Sequence, residues 1–456
     1  MHSRQIDNAP GFPRAAHLTL LSLFYAVLVV YGSLVPFQYR PVPWDEAIER
    51  FRHLPYLQLG IQSRSDWVAN LLLFIPQAWL LLAALTVDRR WFWRVPAVLV
   101  VVPLCFGFAL LIEFTQIQFP PRTTSINDII AETLGAVVGS CLWLWAGQRT
   151  IDWVRGVWCA AGRQGLAAHL LPGYLFFLLL VHVMPLDLTI SPVELYHKYK
   201  QGRITLVPFT GYPSAQDASL KILTQLLYFA PLGLLLSFLK TDWVRRADRW
   251  QVVLLLGGLS AGLCELAQLV VFTRYSDVTD VLIGAVAVLL GWWLGLYRAV
   301  WQPVLRQPGF VAVALLMWTA VAVILEWWPL QFLTDMEQIA QRAAAVRWVL
   351  FADYYAGSDY NAFTQLLRKT LLFLPLGALL ALGVFVPERG HGIAPAVLVG
   401  LLASAILEAG QLALPGRFAS FTDVLVETTG AWLGAVLARR AYGAMGAGGG
   451  KVGEVS

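Results

Sequence analysis

The stretch EAGQLALPGRFASFTD (408–423) places four polar side chains, Glu408, Gln411, Arg417 and Asp423, between two apolar runs. The same skeleton, E-x2-Q-x5-R-x5-D, occurs in EFTQIQFPPRTTSIND (113–128) and ELAQLVVFTRYSDVTD (265–280). If each residue type has a frequency of roughly 1 in 20, four fixed positions match by chance at on the order of 10⁻⁵ per starting point. Three copies therefore indicate an internal repeat. The other eight members of the skeleton are Glu113, Gln116, Arg122, Asp128, Glu265, Gln268, Arg274 and Asp280.

The composition is that of a membrane protein. The chain is 58% hydrophobic and 13% charged, against about 45–50% and about 25% in an ordinary soluble domain. Apolar runs of about 20 residues recur, the length that a helix needs to cross a hydrocarbon core. Twelve spans are predicted, at 18–35, 67–85, 95–117, 126–145, 167–184, 222–239, 250–271, 278–296, 310–327, 370–386, 393–412 and 421–438.

The spans group into three repeats of four, each with one polar skeleton between its third and fourth spans. We expect repeat 1 at 1–147, repeat 2 at 148–308, repeat 3 at 309–440 and a disordered tail at 441–456. Four spans is an even number, so successive repeats have the same orientation. The predicted fold is an all-α polytopic transmembrane bundle of about 12 spans, built as three parallel four-helix repeats.

Basic residues predict the orientation of the chain. They cluster in the connections after spans two, six and ten, for example Arg89, Arg90, Arg245, Arg246 and Arg389, and also between the repeats and beside the termini. All these segments fall on one side of an alternating topology, which the positive-inside rule assigns to the cytoplasm. We therefore expect both termini to be cytoplasmic and the polar skeletons to lie at the outer face.

Other repeated features concern the architecture. The first span of each repeat ends at a proline (Pro36, Pro185, Pro329), and the second contains Phe-x-Pro, whose proline should kink a helix (Pro76, Pro231, Pro375). The fourth spans carry small residues four apart, such as Gly135 and Gly139, which favour close helix packing. The outer segments predict short helices, with capping boxes at 191–194 and 334–337. The one at 44–51 either lies in the membrane interface or is an ordinary connecting helix packed on the bundle.

The skeleton allows a structural and a functional interpretation. Glu113 and Gln116 share a helix face, Arg122 lies in the following loop, and Asp128 lies in the first turn of the next span, so the four groups should meet at one place. Ser125–Asp128 and Ser420–Asp423 fit a capping box at the start of the fourth span, and Asp277 can cap span eight similarly. The arginine can pin the hairpin through Glu or Asp. Equally, ionisable groups beside membrane spans are candidates for ligand contact. The sequence leaves both interpretations open.

Two slots stay polar while their chemistry changes from repeat to repeat. Three residues before the first-span proline stand Ser33, His182 and Glu326, and six residues before the Phe-x-Pro proline stand Asn70, Gln225 and Lys369. We count Asp66, Asn70, His182 and Glu326 as secondary pocket candidates. If these groups line pockets, the three pockets are not equivalent.

The sequence predicts no catalytic residue, no cofactor, no metal site and no nucleic-acid partner. The four cysteines show no metal-ligand spacing. The basic residues are explained by topology.

Asp66-x3-Asn70-x3-Phe74-x-Pro76, followed by Glu113-x2-Gln116, Arg122, Asp128 and a Gly-x3-Gly span, resembles the VanZ-like family. The resemblance implies a bacterial inner-membrane protein linked in some cases with cell-envelope glycans or glycopeptide (teicoplanin) resistance. Departures occur where the resemblance would place Asn four residues after the Asp, since Glu132, Gly284 and Glu427 stand there. Lys221/Gln225 and Gln365/Lys369 replace the Asp66/Asn70 pair in repeats 2 and 3.

Three functions are compatible with these observations. The favoured one is a non-enzymatic protein whose outer polar groups contact the bilayer and a lipid-linked or other envelope ligand. Each four-residue set carries a net charge of −1, which suits an amine or sugar hydroxyls better than a bare phosphate. The alternatives are a secondary transporter, and an intramembrane enzyme on lipid-linked glycan that uses Glu113 and Asp128 as acid and base.

Overall fold

A computed structural model of the protein describes residues 12–56, 61–120, 122–159, 162–184, 187–188, 191–210, 215–239, 249–297, 300, 303–304, 307–328, 330–346, 348–354, 359–385 and 392–446. The chain divides into two compact units. One comprises residues 1–160, 169–225 and 258–285, and the other comprises 161–168, 226–257 and 286–456. Repeat 1 and the polar skeleton of repeat 2 therefore lie in the first unit, and repeat 3 lies in the second.

The described part of repeat 1 contains four long helices and a short one. The long helices are α1 (Ala15–Leu34), α3 (Ile61–Thr86), α4 (Arg94–Gln116) and α5 (Ile126–Leu142), and the short helix is α2 (Trp44–Arg52). A 3₁₀ turn, Trp91–Trp93, precedes α4, and a π-helical segment, Trp143–Gly147, joins α5 to α6 (Gln148–Cys159). Acidic residues begin α2 and basic residues end it, which complements the helix dipole.

Repeat 2 follows the same order. Its helices are α7 (Gly162–Val183), α8 (Pro192–Lys200), α9 (Ala215–Ser237), α10 (Trp250–Leu269) and α11 (Val278–Leu296). Two short parallel strands, β1 (Ile204–Thr205) and β2 (Ser276–Asp277), pair beside the polar skeleton, with Ile204 opposite Ser276. They join the segment after α8 to the start of α11.

Repeat 3 has the same parts in the same order. They are α12 (Pro308–Trp327), α13 (Met336–Ala344), α14 (Asp359–Leu379) with a π-helical extension at Leu380–Val384, α15 (Ala394–Gln411) and α16 (Phe421–Gly446). Its core packs Phe373, Leu376, Leu380 and Ala431. The core of repeat 1 includes Phe74 at the position that corresponds to Phe373.

All twelve predicted spans fall on helices. Ten described helices are long and apolar enough to cross a membrane, and the sixth predicted span falls on a shorter apolar stretch, Lys221–Ser237. The twelfth falls on α16, which is not among the ten and carries Asp423 and Glu427 in its first two turns. The long helices expose apolar side chains, such as Leu20 at 66% and Phe24 at 60%. Such continuous apolar surface is typical of contact with lipid.

The small residues of the fourth helices are packing positions. A Cβ on Gly135 would lie 2.2 Å from the main-chain oxygen of Leu71 in α3, and one on Gly434 would lie 2.0 Å from that of Leu374 in α14. In repeat 2, a Cβ on Gly291 would lie 1.9 Å from the oxygen of Ala230. The second and fourth helices of each repeat therefore approach too closely for a side chain, as the spacing predicts.

The structure refines several predicted boundaries. At 191–194 the helix start is capped as predicted by Ser191, whose Oγ accepts the amide of Glu194 at 3.2 Å, while the Glu194 carboxylate pairs with Arg64 at 2.9 Å. In repeat 3 the helix begins one residue later than predicted, because Asp335 rather than Thr334 accepts the amide of Glu337, at 2.9 Å. Helix α16 continues to Gly446, so residues 441–446 are helical and not part of a tail. Residues 447–456 lie outside the described residues.

The prolines of Phe-x-Pro, Pro76, Pro231 and Pro375, lie inside α3, α9 and α14. The first helices end at Leu34, Val183 and Trp327, each two residues before its proline. This agrees with the steric bias that proline imposes on the preceding residue. Several residues named in the sequence predictions lie outside the described residues, namely Pro185, Pro329, Arg245, Arg246 and Arg389.

Candidate functional site

The four residues of each skeleton meet where the third helix of the repeat gives way to the fourth, which we call the motif end. In repeat 1, Glu113 and Gln116 occupy the last turn of α4, Arg122 lies in the loop, and Asp128 lies in the first turn of α5. Glu113 is 2% exposed and Gln116 is 9% exposed. The skeleton therefore forms a largely buried polar layer within an apolar bundle.

The arginine closes the end of the first helix. Arg122 Nε donates to the carbonyl oxygen of Val35 and Nη2 to that of Gly32, both at 2.8 Å. The last carbonyls of a helix have no amide partner within it, and a guanidinium fork satisfies two of them while its charge complements the helix dipole. The other arginines contact the carbonyls one and four residues before the corresponding proline, Arg274 those of Met184 and Val181 and Arg417 those of Trp328 and Leu325. These bonds go to the main chain and not to the Glu or Asp that the sequence suggested.

The glutamate holds the start of the fourth helix. Glu113 Oε2 accepts the amide of Ser125 at 3.1 Å, Glu265 Oε2 that of Asp277 at 2.9 Å, and Glu408 Oε2 that of Ser420 at 2.9 Å. Each partner lies 12 residues further along the chain. These contacts join the two helices of the hairpin. They favour the structural interpretation for the glutamate and the arginine.

A side chain caps the start of the fourth helix in repeats 1 and 2, and repeat 3 differs. Ser125 Oγ accepts the amide of Asp128 at 3.3 Å, and Asp277 Oδ1 accepts that of Thr279 at 2.8 Å, as the sequence predicts. Ser420 Oγ, by contrast, has no hydrogen-bond partner among the described residues. The predicted capping role of Ser420 is therefore not seen.

The glutamine reaches the first helix. Gln116 Nε2 donates to the carbonyl oxygen of Ser33 at 3.0 Å, and Gln411 Nε2 donates to Glu326 Oε2 at 3.1 Å. Ser33 and Glu326 occupy the same slot, three residues before the proline. In repeat 2, that slot is His182, which is 4% exposed and lies 2.7 Å from the carbonyl oxygen of Leu178.

The aspartate contacts the variable slot of the second helix in every repeat. Asn70 Nδ2 donates to Asp128 Oδ1 at 2.7 Å, and Gln225 hydrogen-bonds to Asp280. Lys369 Nζ lies 2.9 Å from Asp423 Oδ2. The structure thus brings the skeleton and the slot together, and the chemistry of the slot decides the charge at the motif end.

In repeat 3 the slot is filled by an ammonium group. Lys369 Nζ lies 2.8 Å from Glu326 Oε2, 3.0 Å from Glu408 Oε1, 2.9 Å from Asp423 Oδ2 and 2.9 Å from Glu427 Oε1. The lysine is 2% exposed and Glu427 is fully buried. Oxygens of Glu326, Glu408 and Glu427 lie within 4.8 Å of one another, as in a metal site. The lysine provides the charge compensation that a cation would otherwise supply.

Repeat 2 places a lysine one helical turn earlier. Lys221 Nζ lies 2.9 Å from Asp280 Oδ2 and 3.7 Å from Asp277 Oδ2. Its position corresponds to that of Asp66 in repeat 1. A second lysine, Lys198 of α8, donates to the carbonyl oxygens of Gln268 at 2.6 Å and Val271 at 2.7 Å. Burial lowers the pKa of Lys198 to about 8.

Repeat 1 has no lysine at either position, because Asn70 and Asp66 stand there. Its acids are Glu113, Asp128 and Glu132, and Glu132 is 2% exposed. The carboxylates of Glu113 and Asp128 lie close enough to that of Glu132 to act on it electrostatically. Glu132 Oε2 has no hydrogen-bond partner among the described residues.

An open cavity of about 610 Å³ adjoins this motif end of repeat 1. It lies between α2 and the arginine loop and is lined by Glu49, His53, Arg122 and Thr124, among others. Thr124 directly precedes Ser125, whose amide Glu113 accepts. The polar cluster and the cavity therefore share one loop.

Of the secondary candidates, Asn70, His182 and Glu326 are at the motif ends, and Asp66 is exposed near the start of α3. The twelve skeleton residues did not include Lys369, Lys221, Glu132 and Glu427, although these decide the charge of the site. Their signal was present in the sequence. Lys369 and Lys221 stand six and ten residues before the proline of Phe-x-Pro in their repeats. Glu132 and Glu427 stand four residues after the Asp of the skeleton. The helices that carry these residues pack closely together.

The helices and their polar ends define a multi-pass helical membrane protein made of three related units. The family model for VanZ/LLP1 matches residues 17–147, 173–300 and 310–442. The chain belongs to this family and contains three tandem copies of its domain. Comparisons with curated proteins and with solved structures found no match.

Proposed function

We propose that this protein is a non-catalytic receptor in the bacterial inner membrane, which binds a lipid-linked or other envelope-derived ligand at the motif end of repeat 1. In this proposal both termini are cytoplasmic and the motif ends face outwards, in agreement with the distribution of basic residues. The family resemblance suggests that binding alters glycopeptide susceptibility.

One observation carries this proposal. Glu132 is a buried carboxyl without a hydrogen-bond partner on Oε2, in the one repeat whose acidic cluster has no lysine at the two facing positions. Leaving a buried acid uncompensated costs free energy, and ionisable groups retained within membrane proteins are generally functional. The neighbouring cavity of about 610 Å³ is large enough for a lipid headgroup or a sugar.

The skeleton arginines are unsuitable positions for testing this function. Replacing Arg122, Arg274 and Arg417 would disturb the fold, because each arginine holds the end of a helix. Glu132→Gln instead replaces the carboxyl group by an uncharged amide, with one acceptor oxygen exchanged for an NH2 donor, and keeps the size of the side chain. Glu337→Gln, at an exposed position in the first turn of α13, is a matched control.

The test is teicoplanin susceptibility in a host that carries the parent, Glu132→Gln or Glu337→Gln at equal membrane abundance. We expect the parent and Glu337→Gln to shift susceptibility and Glu132→Gln to lose the shift. Absence of a shift with the parent, or an undiminished shift with Glu132→Gln, would contradict the proposed function.

A further inference from the structure

We propose that the acidic cluster of repeat 1, Glu113, Asp128 and Glu132, binds a primary ammonium group supplied from outside the chain. This inference rests on the proposed function and names the chemical class of its ligand. It starts from a difference within the molecule. Repeat 3 contains the same acids together with an ammonium group of its own, and repeat 1 contains them without one.

The correspondence between the two clusters is residue by residue. Glu113, Asp128 and Glu132 stand where repeat 3 has Glu408, Asp423 and Glu427, and Asn70 stands where repeat 3 has Lys369. In repeat 3 all three acids lie 2.9–3.0 Å from Lys369 Nζ. The fold of repeat 3 therefore holds a primary ammonium group among the three carboxylates that correspond to those of repeat 1.

Asn70 does not replace that ammonium group. Its amide donates to Asp128 Oδ1 at 2.7 Å, but it carries no charge and is shorter than lysine. Arg122, in the adjoining loop, directs its guanidinium to the carbonyls of α1. Neither Asn70 nor Arg122 therefore supplies the acids of repeat 1 with the cation that Lys369 supplies in repeat 3.

Two buried acceptors of repeat 1 point to a ligand that donates hydrogen bonds. Glu132 Oε2 and Gln116 Oε1 both have no hydrogen-bond partner among the described residues. Both residues are at least nine-tenths buried. A primary ammonium has three N–H donors, so it can satisfy several acceptors at once, whereas a quaternary ammonium has none.

A primary ammonium group has two sources, a soluble amine and the ethanolamine headgroup of a membrane lipid. The experiment has one arm for each source. The soluble arm measures the Tm of the purified full-length protein during titration with ethylammonium chloride, with tetramethylammonium chloride and sodium chloride as controls. The lipid arm uses nanodiscs of mixed phosphatidylethanolamine and phosphatidylcholine and counts retained lipids by native mass spectrometry.

The decisive variant is Asn70→Lys, which gives repeat 1 the ammonium that repeat 3 has. We expect ethylammonium to raise the Tm of the parent by about 1 °C or more, or phosphatidylethanolamine to be retained selectively, since a ligand of the native state stabilises it by mass action. Asn70→Lys should abolish either effect. Glu132→Gln should also abolish it, and this second variant keeps the proposal testable if the lysine variant does not fold. Glu337→Gln should behave as the parent.

A response in the soluble arm alone identifies a soluble amine, and a response in the lipid arm alone identifies the headgroup. The proposal is overturned if neither arm responds in the parent, if tetramethylammonium acts as strongly as ethylammonium, or if Asn70→Lys keeps the full response. A susceptibility shift that depends on Glu132 without any ammonium response would refute the ligand class and leave the proposed function standing. Loss of both would refute both.

Discussion

Repeats 1 and 3 share the frame of the motif end and differ in what fills it. In both, the arginine bonds to carbonyls at the end of the first helix and the glutamate accepts an amide at the start of the fourth. In repeat 3, Lys369 occupies the centre of the acids, whereas repeat 1 has Asn70 there. The comparison shows that repetition preserved the contacts that hold the hairpin and left the central position free to change.

The largest effect that tests this comparison is expected from Lys369→Met. The substitution leaves buried carboxylates without their shared ammonium, and breaking a buried ion pair in this way costs roughly 3–5 kcal/mol. Asn70→Leu in repeat 1 removes one hydrogen bond and should cost about 1 kcal/mol. Thermal unfolding of the purified protein in detergent measures both. Equal losses would show that the lysine of repeat 3 does not balance its acids.

Arg122→Gln and Arg417→Gln test the shared frame. Each removes two charge-assisted hydrogen bonds to helix carbonyls, so each should lower the free energy of unfolding by about 2 kcal/mol. The loss should be larger for Arg122, whose bonds are 2.8 Å long, than for Arg417, whose bonds are 3.2–3.3 Å long. The exposed Arg89→Gln is the control. A loss of stability with only one of these two variants would show that the arginine contacts do not stabilise both repeats alike.

Gly135→Ala and Gly430→Ala test whether the packing of the second and fourth helices is also shared. The new methyl groups would lie 2.2 Å from Leu71 O and 2.4 Å from Thr370 O, so we expect each to cost about 1–3 kcal/mol through overpacking. Gly107→Ala in α4, where nothing lies within 4 Å, should be neutral or slightly stabilising. Tm measurements compare the three variants. A neutral Gly135→Ala would mean that the helices can separate at no cost.

The smallest effect is expected at the other end of repeat 1. Arg155 Nη2 lies 2.7 Å from Asp88 Oδ2, and this hydrogen bond holds the pKa of Asp88 below its usual range. The side chain of Asp88 is about half exposed, so Asp88→Asn should cost less than about 1 kcal/mol at pH 7. Because the folded pKa is lowered, the contribution is present above the unfolded pKa and is lost as the pH falls through the folded one. Unfolding of parent and variant at pH 7 and at acidic pH should show a difference that vanishes in acid. A difference that persists in acid would exclude this pair as its cause.

The sequence could predict the helices and the meeting of the skeleton residues, because apolar run length and helical spacing are local properties. It could not predict that Arg122 would bind the carbonyls of Val35 and Gly32, since that partner depends on how α1 packs against the loop. The sequence marks Lys369 and Glu132 only as positions that differ between repeats, and it could not show which groups they face. Their importance arises from close contact between helices that are distant in sequence, such as Lys369 with Glu427.

Asn70 of repeat 1 supplies no ammonium group at the position that Lys369 fills in repeat 3, so in our proposal the acids take one from outside the chain. An experimental structure of the protein purified with phosphatidylethanolamine tests it most directly. We predict density for an amine within hydrogen-bonding distance of Glu132 in the parent, and its replacement by the lysine side chain in Asn70→Lys. A closed cluster in the parent, with Glu132 hydrogen-bonded to a neighbouring side chain and no cation among the acids, would contradict the account.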